Sequence, residues 1–380
     1  MNSKIVCAVM TQVRVPARPD SLNSPGIDDT DAEFAKKFKT GAKWSDFHLE
    51  PKWIVELHTQ SGAAGVGETY RGAQQEPVKS ALKALLGKDV LALDWRRLPC
   101  ADVRAYDAIE TAVLDLAGRL LNVSIGQLLG GVCKPKIECS GWTGRRTPED
   151  AGRKAFEAMQ RGHRVFKFKC ATGDAVRDWS EQIYARCGDK IRLLLDPNQR
   201  WIDVETTVRL MKGVRRESMY ALEDPVERSN MEAFKELKSR LGIPIFMHIA
   251  LPYLHQGQRK EDLIAALRLK CADGFNFNGP MFEFVRLAQT AALDGLACWH
   301  GSEVDLGILE ASALQACSVT ENCTIPSDIF GELVRENDLI EPEIRFENGH
   351  ALVPTGPGLG VTLDHGALEK FRIGPAVELR

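Results

Sequence analysis

Short apolar runs alternate along most of this chain with stretches in which apolar residues recur every three or four positions. The first pattern is that of buried strands, the second that of amphipathic helices. Residues 5–15 and 53–59 read as strands, and GAAGVGETYRG (62–72) closes a hairpin-like region. Helical patterns follow at 76–86 and 102–120, the second with Ala108, Ala112, Leu116 and Leu120 on one face. From residue 131 the texture changes. Apolar β-rich runs stand at 137–139, 165–169, 191–196, 220–223, 245–248, 274–278, 297–300 and 323–327, each leading into a helical pattern. Their spacing of about 25 residues is one strand–helix unit with short loops. Eight such units are what a closed parallel barrel needs. A doubly wound sheet alternates in the same way but carries fewer strands, and no GxGxxG follows the first strand. The pattern predicts an α/β fold, a modified TIM (β/α)7-8 barrel with an N-terminal α+β capping domain. The cap spans 1–130, the barrel 131–355, and 356–380 returns to the cap.

One long polar stretch, 16–50, interrupts the cap pattern. Loops of that length are lids or unstructured linkers. Trp44 and Phe47 supply apolar anchors, which favours a lid over the barrel mouth that carries specificity.

Composition narrows the class. Of 380 residues, 44% are hydrophobic and 27% charged, with a net charge of −3 and no basic block, so neither nucleic acid nor a membrane surface is an expected partner. No apolar run approaches the ~20 residues of a membrane span, and the N-terminus lacks a signal-peptide pattern. Ten cysteines lie scattered with no CxxC pair, which reads as free thiols in a reducing, cytoplasmic setting.

The chemistry lies where the apolar runs end. Lys167 and Lys169 close the second run, Asp196 the third, Glu223 the fourth, His248 the fifth, Asn278 the sixth and His300 the seventh. In a parallel barrel these ends open onto one face, where active sites are built. Asp196 and Glu223, on adjacent strands, would repel unless a cation stood between them, and hard oxygen ligands suit Mg2+. The competing reading is a pair of helix N-caps. Lys167 and Lys169 alternate on one strand and so share a side. Their mutual repulsion and burial would lower one ammonium toward general-base duty. Asn278 could fix the tautomer of His300 on the neighbouring strand.

The set KxK, DPNQ, EDP and a seventh-strand His, with the closing PTGPGLGVTLD, resembles the enolase superfamily, and within it the mandelate racemase and muconate lactonising branch. The resemblance covers nearly the whole chain and is strongest from about 140 to 330. It implies abstraction of the proton alpha to a substrate carboxylate, with a divalent metal, Mg2+ or Mn2+, stabilising the enediolate. Asp196 and Glu223 match metal ligands, Lys169 a base on one face, Lys167 its companion, and His300 the acid or base on the other face. Asn198 and Asp224 match polar neighbours of the metal. Tyr70, Asn198 and Glu303 are the expected substrate contacts, and a symmetric homo-oligomer is implied.

Two positions depart from the pattern. The third metal ligand should be acidic, and the chain has His248; the imidazole completes the site, or two carboxylates and water hold the metal, or the metal is lost. At Asn278 the branch carries an Asp or a Lys. An amide leaves His300 the weaker base, which favours dehydration of a sugar acid or related hydroxy acid to a 2-keto acid. The alternatives are a racemase, epimerase or cycloisomerase of the same superfamily, or a catalytically silent binding relative.

Overall fold

The computed structural model describes residues 2–27, 30, 48–251 and 258–380. Trp44 and Phe47, on which the lid expectation rests, lie outside the described residues. The N-terminal region is an antiparallel sheet in which Lys52–Thr59 lies between Ile5–Val13 and Ala64–Glu68, and Val377–Leu379 adds to the far edge of Ile5–Val13. Helices Gln75–Leu85 and Tyr106–Leu121 cover one face. Strand Ala64–Glu68 reads AGVGE because the second helix lies almost on its backbone. A Cβ on Gly65 would stand 2.3 Å from the carbonyl oxygen of Ala112, and one on Gly67 would stand 1.9 Å from that of Ala108.

The rest is a parallel sheet of seven strands in sequence order: Gly141–Thr143, Val165–Lys169, Arg192–Asp196, Met219–Glu223, Ile245–Ile249, Gly274–Phe277 and Ala297–His300. The last expected run, 323–327, closes the ring by isolated bridges, Cys298 to Cys323 on one side and Cys139 to Ser327 on the other. The first expected run is displaced. Lys136–Glu138 pairs antiparallel with His350–Leu352 outside the barrel, and Gly141–Thr143 takes the first barrel position. Gly141 permits that approach, since a Cβ there would stand 2.3 Å from the Phe166 ring.

Alternation along the strands sorts the side chains. Val165, Leu194, Ala221, Phe246, Trp299 and Ile325 meet inside the barrel. The intervening Phe166, Phe168, Leu193, Leu195, Phe275 and Phe277 face the helical layer. Burying each such side chain contributes about 1.5–3 kcal/mol. Among the described residues no helix is long and apolar enough to cross a membrane. All ten cysteines are free thiols, seven of them buried.

The cap is fastened to the C-terminal mouth through carboxylates set on helix starts, where unpaired N–H groups need acceptors. Glu68 accepts from the backbone N–H of Leu306 at 2.8 Å and of Leu309 at 3.1 Å, at the head of helix Gly307–Ser318. Glu110 accepts from Met281 N–H at 2.5 Å, at the head of helix Met281–Ala292. Lys52, buried beneath, pairs with Glu68 at 2.5 Å and Asp305 at 3.2 Å.

Candidate active site

The second, third and fourth strands bring their terminal charges together. Strands Val165–Lys169 and Arg192–Asp196 align Lys169 with Asp196 and Lys167 with Leu194, an inner residue, so both lysines point into the mouth. The Lys169 ammonium reaches Asp196 Oδ2 at 2.5 Å and Asn198 Oδ1 at 2.7 Å. That of Lys167 lies 2.7 Å from Glu223 Oε2, 2.8 Å from Asp328 Oδ2 and 3.2 Å from Asp196 Oδ2. Lys167 is not lowered as the repulsion between the two lysines would predict. Burial works against the Lys167 charge, but Asp328, Glu223 and Asp196 outweigh it and hold the ammonium well above its usual range. Lys167 is therefore a fixed cation. Lys169, whose side chain is 19% exposed, is the lysine placed to exchange a proton with a bound molecule.

Asp196 feels burial upward and the two lysines more strongly downward, and stays ionised. Its Oδ1 also accepts from Asn198 N–H at 3.0 Å, so the local turn-capping role coexists with the functional one. Glu223 is raised by burial and by Asp196 beside it, and its Oε1 accepts from Asn276 Nδ2 at 2.7 Å. The loops beyond these two strands hold Asn198, Gln199 and Asp224 at φ of 46°, 71° and 44°, a left-handed geometry unfavourable for residues with a Cβ. The bond from Gln199 N–H to the Asp224 carbonyl, 2.7 Å, locks the two loops together.

The fifth strand turns His248 inward, two residues beyond the inner Phe246 and level with Asn276. Burial, Arg228 and Lys167 push the imidazole well below its usual range, so the ring is neutral. Its Nε2 is buried without a close hydrogen bond, the Asn278 amide being near enough to act on the ring, and Nδ1 stands 3.5 Å from the Arg228 guanidinium. Asp224 is occupied twice, by Arg228 Nε at 2.5 Å and by the His248 backbone N–H at 3.0 Å.

On the sixth strand Asn276 and Asn278 alternate with the outward Phe275 and Phe277. Asn278 donates to Glu303 Oε1 at 3.1 Å, and Glu303 Oε2 pairs with Arg71 of the cap at 3.0 Å. Tyr70 lies at the seam of cap and barrel, packed with Leu251 and Leu309 and bonded to Asp107.

The seventh strand overturns one expectation. His300 is in register with Phe277, which faces the helices, while the inner position belongs to Trp299. The imidazole leaves the mouth, packs tilted against Phe284 of the helix Met281–Ala292 with ring centroids 4.8 Å apart, and bonds through Nδ1 to its neighbour's carbonyl, Gly301 O, at 2.7 Å. Asn278 therefore does not orient it. Gly301 takes the next inner position, because a Cβ there would stand 2.2 Å from Asn276 Oδ1. Sequence reasoning also missed Asp328, Asn276 and Arg228. Asp328 had a readable signal, since it follows the eighth apolar run directly.

The arrangement can hold a cation. Glu223, Asp224 and His248 each offer one ligand atom, and these atoms lie within 4.8 Å of one another. Asp196 stands on the neighbouring strand, its Oδ2 shared by the two lysines and its Oδ1 bonded to Asn198 N–H.

Residues 150–367 match the family described as enolase C-terminal domain-like, and 47–130 match the mandelate racemase/muconate lactonizing enzyme N-terminal domain. The chloromuconate cycloisomerase of Pseudomonas putida is 26% identical over 343 residues, covering 84% of this chain and 90% of that protein. The N-succinyl-L-Arg/Lys racemase of Bacillus cereus is 22% identical over 346 residues, covering 85% and 90%. The crystal structure of N-succinyl Arg/Lys racemase from Bacillus cereus superposes with a TM-score of 0.81 at 20% identity, over 99% of this chain and 100% of that one. That of 2-chloromuconate cycloisomerase from Rhodococcus opacus gives 0.79 at 22%, over 98% and 100%. The chain belongs to the mandelate racemase/muconate lactonizing branch of the enolase superfamily.

Proposed function

We propose that this protein is an isomerase of the cycloisomerase type, which moves a proton at the carbon alpha to a substrate carboxylate from one face, with Lys169 as the proton carrier. The observation that carries this reading is the asymmetry of the mouth. Lys169 stands on the second strand, while the sixth and seventh strands offer the amide of Asn278 and Gly301 at their inner ends, with His300 turned out. A racemase needs a proton carrier on each side of the carbon, whereas ring closure or opening at one carbon needs one. The similar cycloisomerases and racemases support isomerisation better than the sugar-acid dehydration that the sequence suggested.

The residues take these roles. Asp196 and Asn198 hold the Lys169 ammonium in place, and Lys167 keeps positive charge where a substrate carboxylate would gain electron density. Asp196, Glu223 and His248 would hold the divalent cation; when bound it supplies further positive charge to the same oxygens. Glu303 and Arg71 close the mouth from the cap side, where the distal part of a substrate would rest. Incubation with muconate and chloromuconate, followed by chromatography of the lactone, tests the reading. Lactone formation is expected; an unchanged diene together with racemisation of N-succinyl amino acids would overturn it.

A further inference from the structure

We infer that His248 makes the cation site a mixed nitrogen and oxygen site that selects Co2+ and similar transition ions over Mg2+. The inference rests on the reading that Asp196 and Glu223 hold a divalent cation, and concerns which cation that is.

Its ground is the state of one side chain. His248 is 7% exposed and points into the barrel, and its Nε2 is shut off from water with no close partner. The other nitrogen lies 3.5 Å from Arg228, the outer limit of a hydrogen bond, and of the neutral side chains only the Asn278 amide acts on the ring, so neither nitrogen makes a close bond. A buried polar atom left without a partner is costly, and native structures rarely keep one without a use. Asn278, whose own amide oxygen is also buried without a close partner, is the neutral neighbour that acts on the ring, and the carboxylates nearby are held by other groups. Glu223 accepts from Asn276 and is ion-paired with Lys167, and Asp224 is taken up by Arg228 and by the His248 backbone. Yet an atom of Glu223 and one of His248 lie within 4.8 Å of one another, a span one ion can bridge.

The identity of the donor decides the ion. Mg2+ demands near-octahedral oxygen ligation and loses its waters reluctantly, and imidazole does little to compensate. Co2+ and Zn2+ bind imidazole well, and their affinities for such sites stand above that of Mn2+. Asp224 adds a second support. By accepting the His248 N–H and holding Arg228, it fixes the fifth strand end beside Glu223, as outer partners of metal-binding histidines do.

The test is calorimetric titration of the metal-stripped, full-length protein with Co2+ and with Mg2+, alongside the visible absorption of the Co2+ form. Wild type should bind one Co2+ at least roughly tenfold more tightly than Mg2+. H248D should reverse the order and shift the Co2+ bands, and H248A should lose the preference while keeping the wild-type circular dichroism. Equal affinity for both ions in wild type would overturn the inference and leave the cation reading standing, as would a preference that survives in H248A. If neither wild type nor H248D binds either ion, the cation reading itself fails, and the inference with it.

Discussion

The two halves of the barrel mouth are built to different rules. On the second to fourth strands every inner end is ionisable, and two ammoniums interleave with Asp196, Glu223 and Asp328 at 2.5–3.2 Å. On the fifth to seventh strands the inner ends are a neutral imidazole, two amides and a glycine, and the one further histidine faces away. The same scaffold thus gathers ionisable groups on one side and neutral, close-packed walls on the other. Reaction type follows from which strand ends carry charge and which way they point; the barrel alone does not set it.

That contrast can be broken at its charged side first. Lys169→Met should lower kcat/KM for the isomerisation by about a thousandfold, within the usual range for a lost acid–base group, with an unchanged circular dichroism spectrum. A variant that keeps even a tenth of the rate would remove Lys169 from the chemistry. Lys167→Met should act on stability as well as rate. It leaves three buried carboxylates without their shared cation, which should cost about 3–5 kcal/mol in urea unfolding. An unaltered midpoint would mean that the carboxylates find other partners. The smallest effect belongs to the neutral side. His300→Gln should leave kcat/KM within about threefold of wild type and lower stability by about 1 kcal/mol through the lost bond to Gly301. A collapse in rate would put the imidazole back among the reacting groups.

The charged half was also the legible half. Lys167, Lys169, Asp196 and Glu223 each interrupt or end an apolar run, so their residue type and position both stand out. Parity was the harder quantity. In GFNFN the alternation of aromatic and amide is visible, whereas ACWH is apolar up to its last residue and gives no sign of which face His300 takes. That direction is set by register with Phe277 and by the inward Trp299, which only pairing reveals. The first strand misled for a related reason. Ile137 looks like a barrel strand, but its partner is Ala351, more than two hundred residues away. Nor could the seating of Glu68 and Glu110 on distant helix starts be read from local pattern, since the N–H groups they satisfy belong to residues near 281 and 306.

The central claim is that the proton moves on one face only, and the stereochemistry of solvent deuterium in the product tests it most directly. With the reaction run in D2O and the product resolved by NMR, the account predicts deuterium on a single face of the alpha carbon in wild type and none enzymatically placed in Lys169→Met. Deuterium on both faces, or its persistence in Lys169→Met, would contradict it.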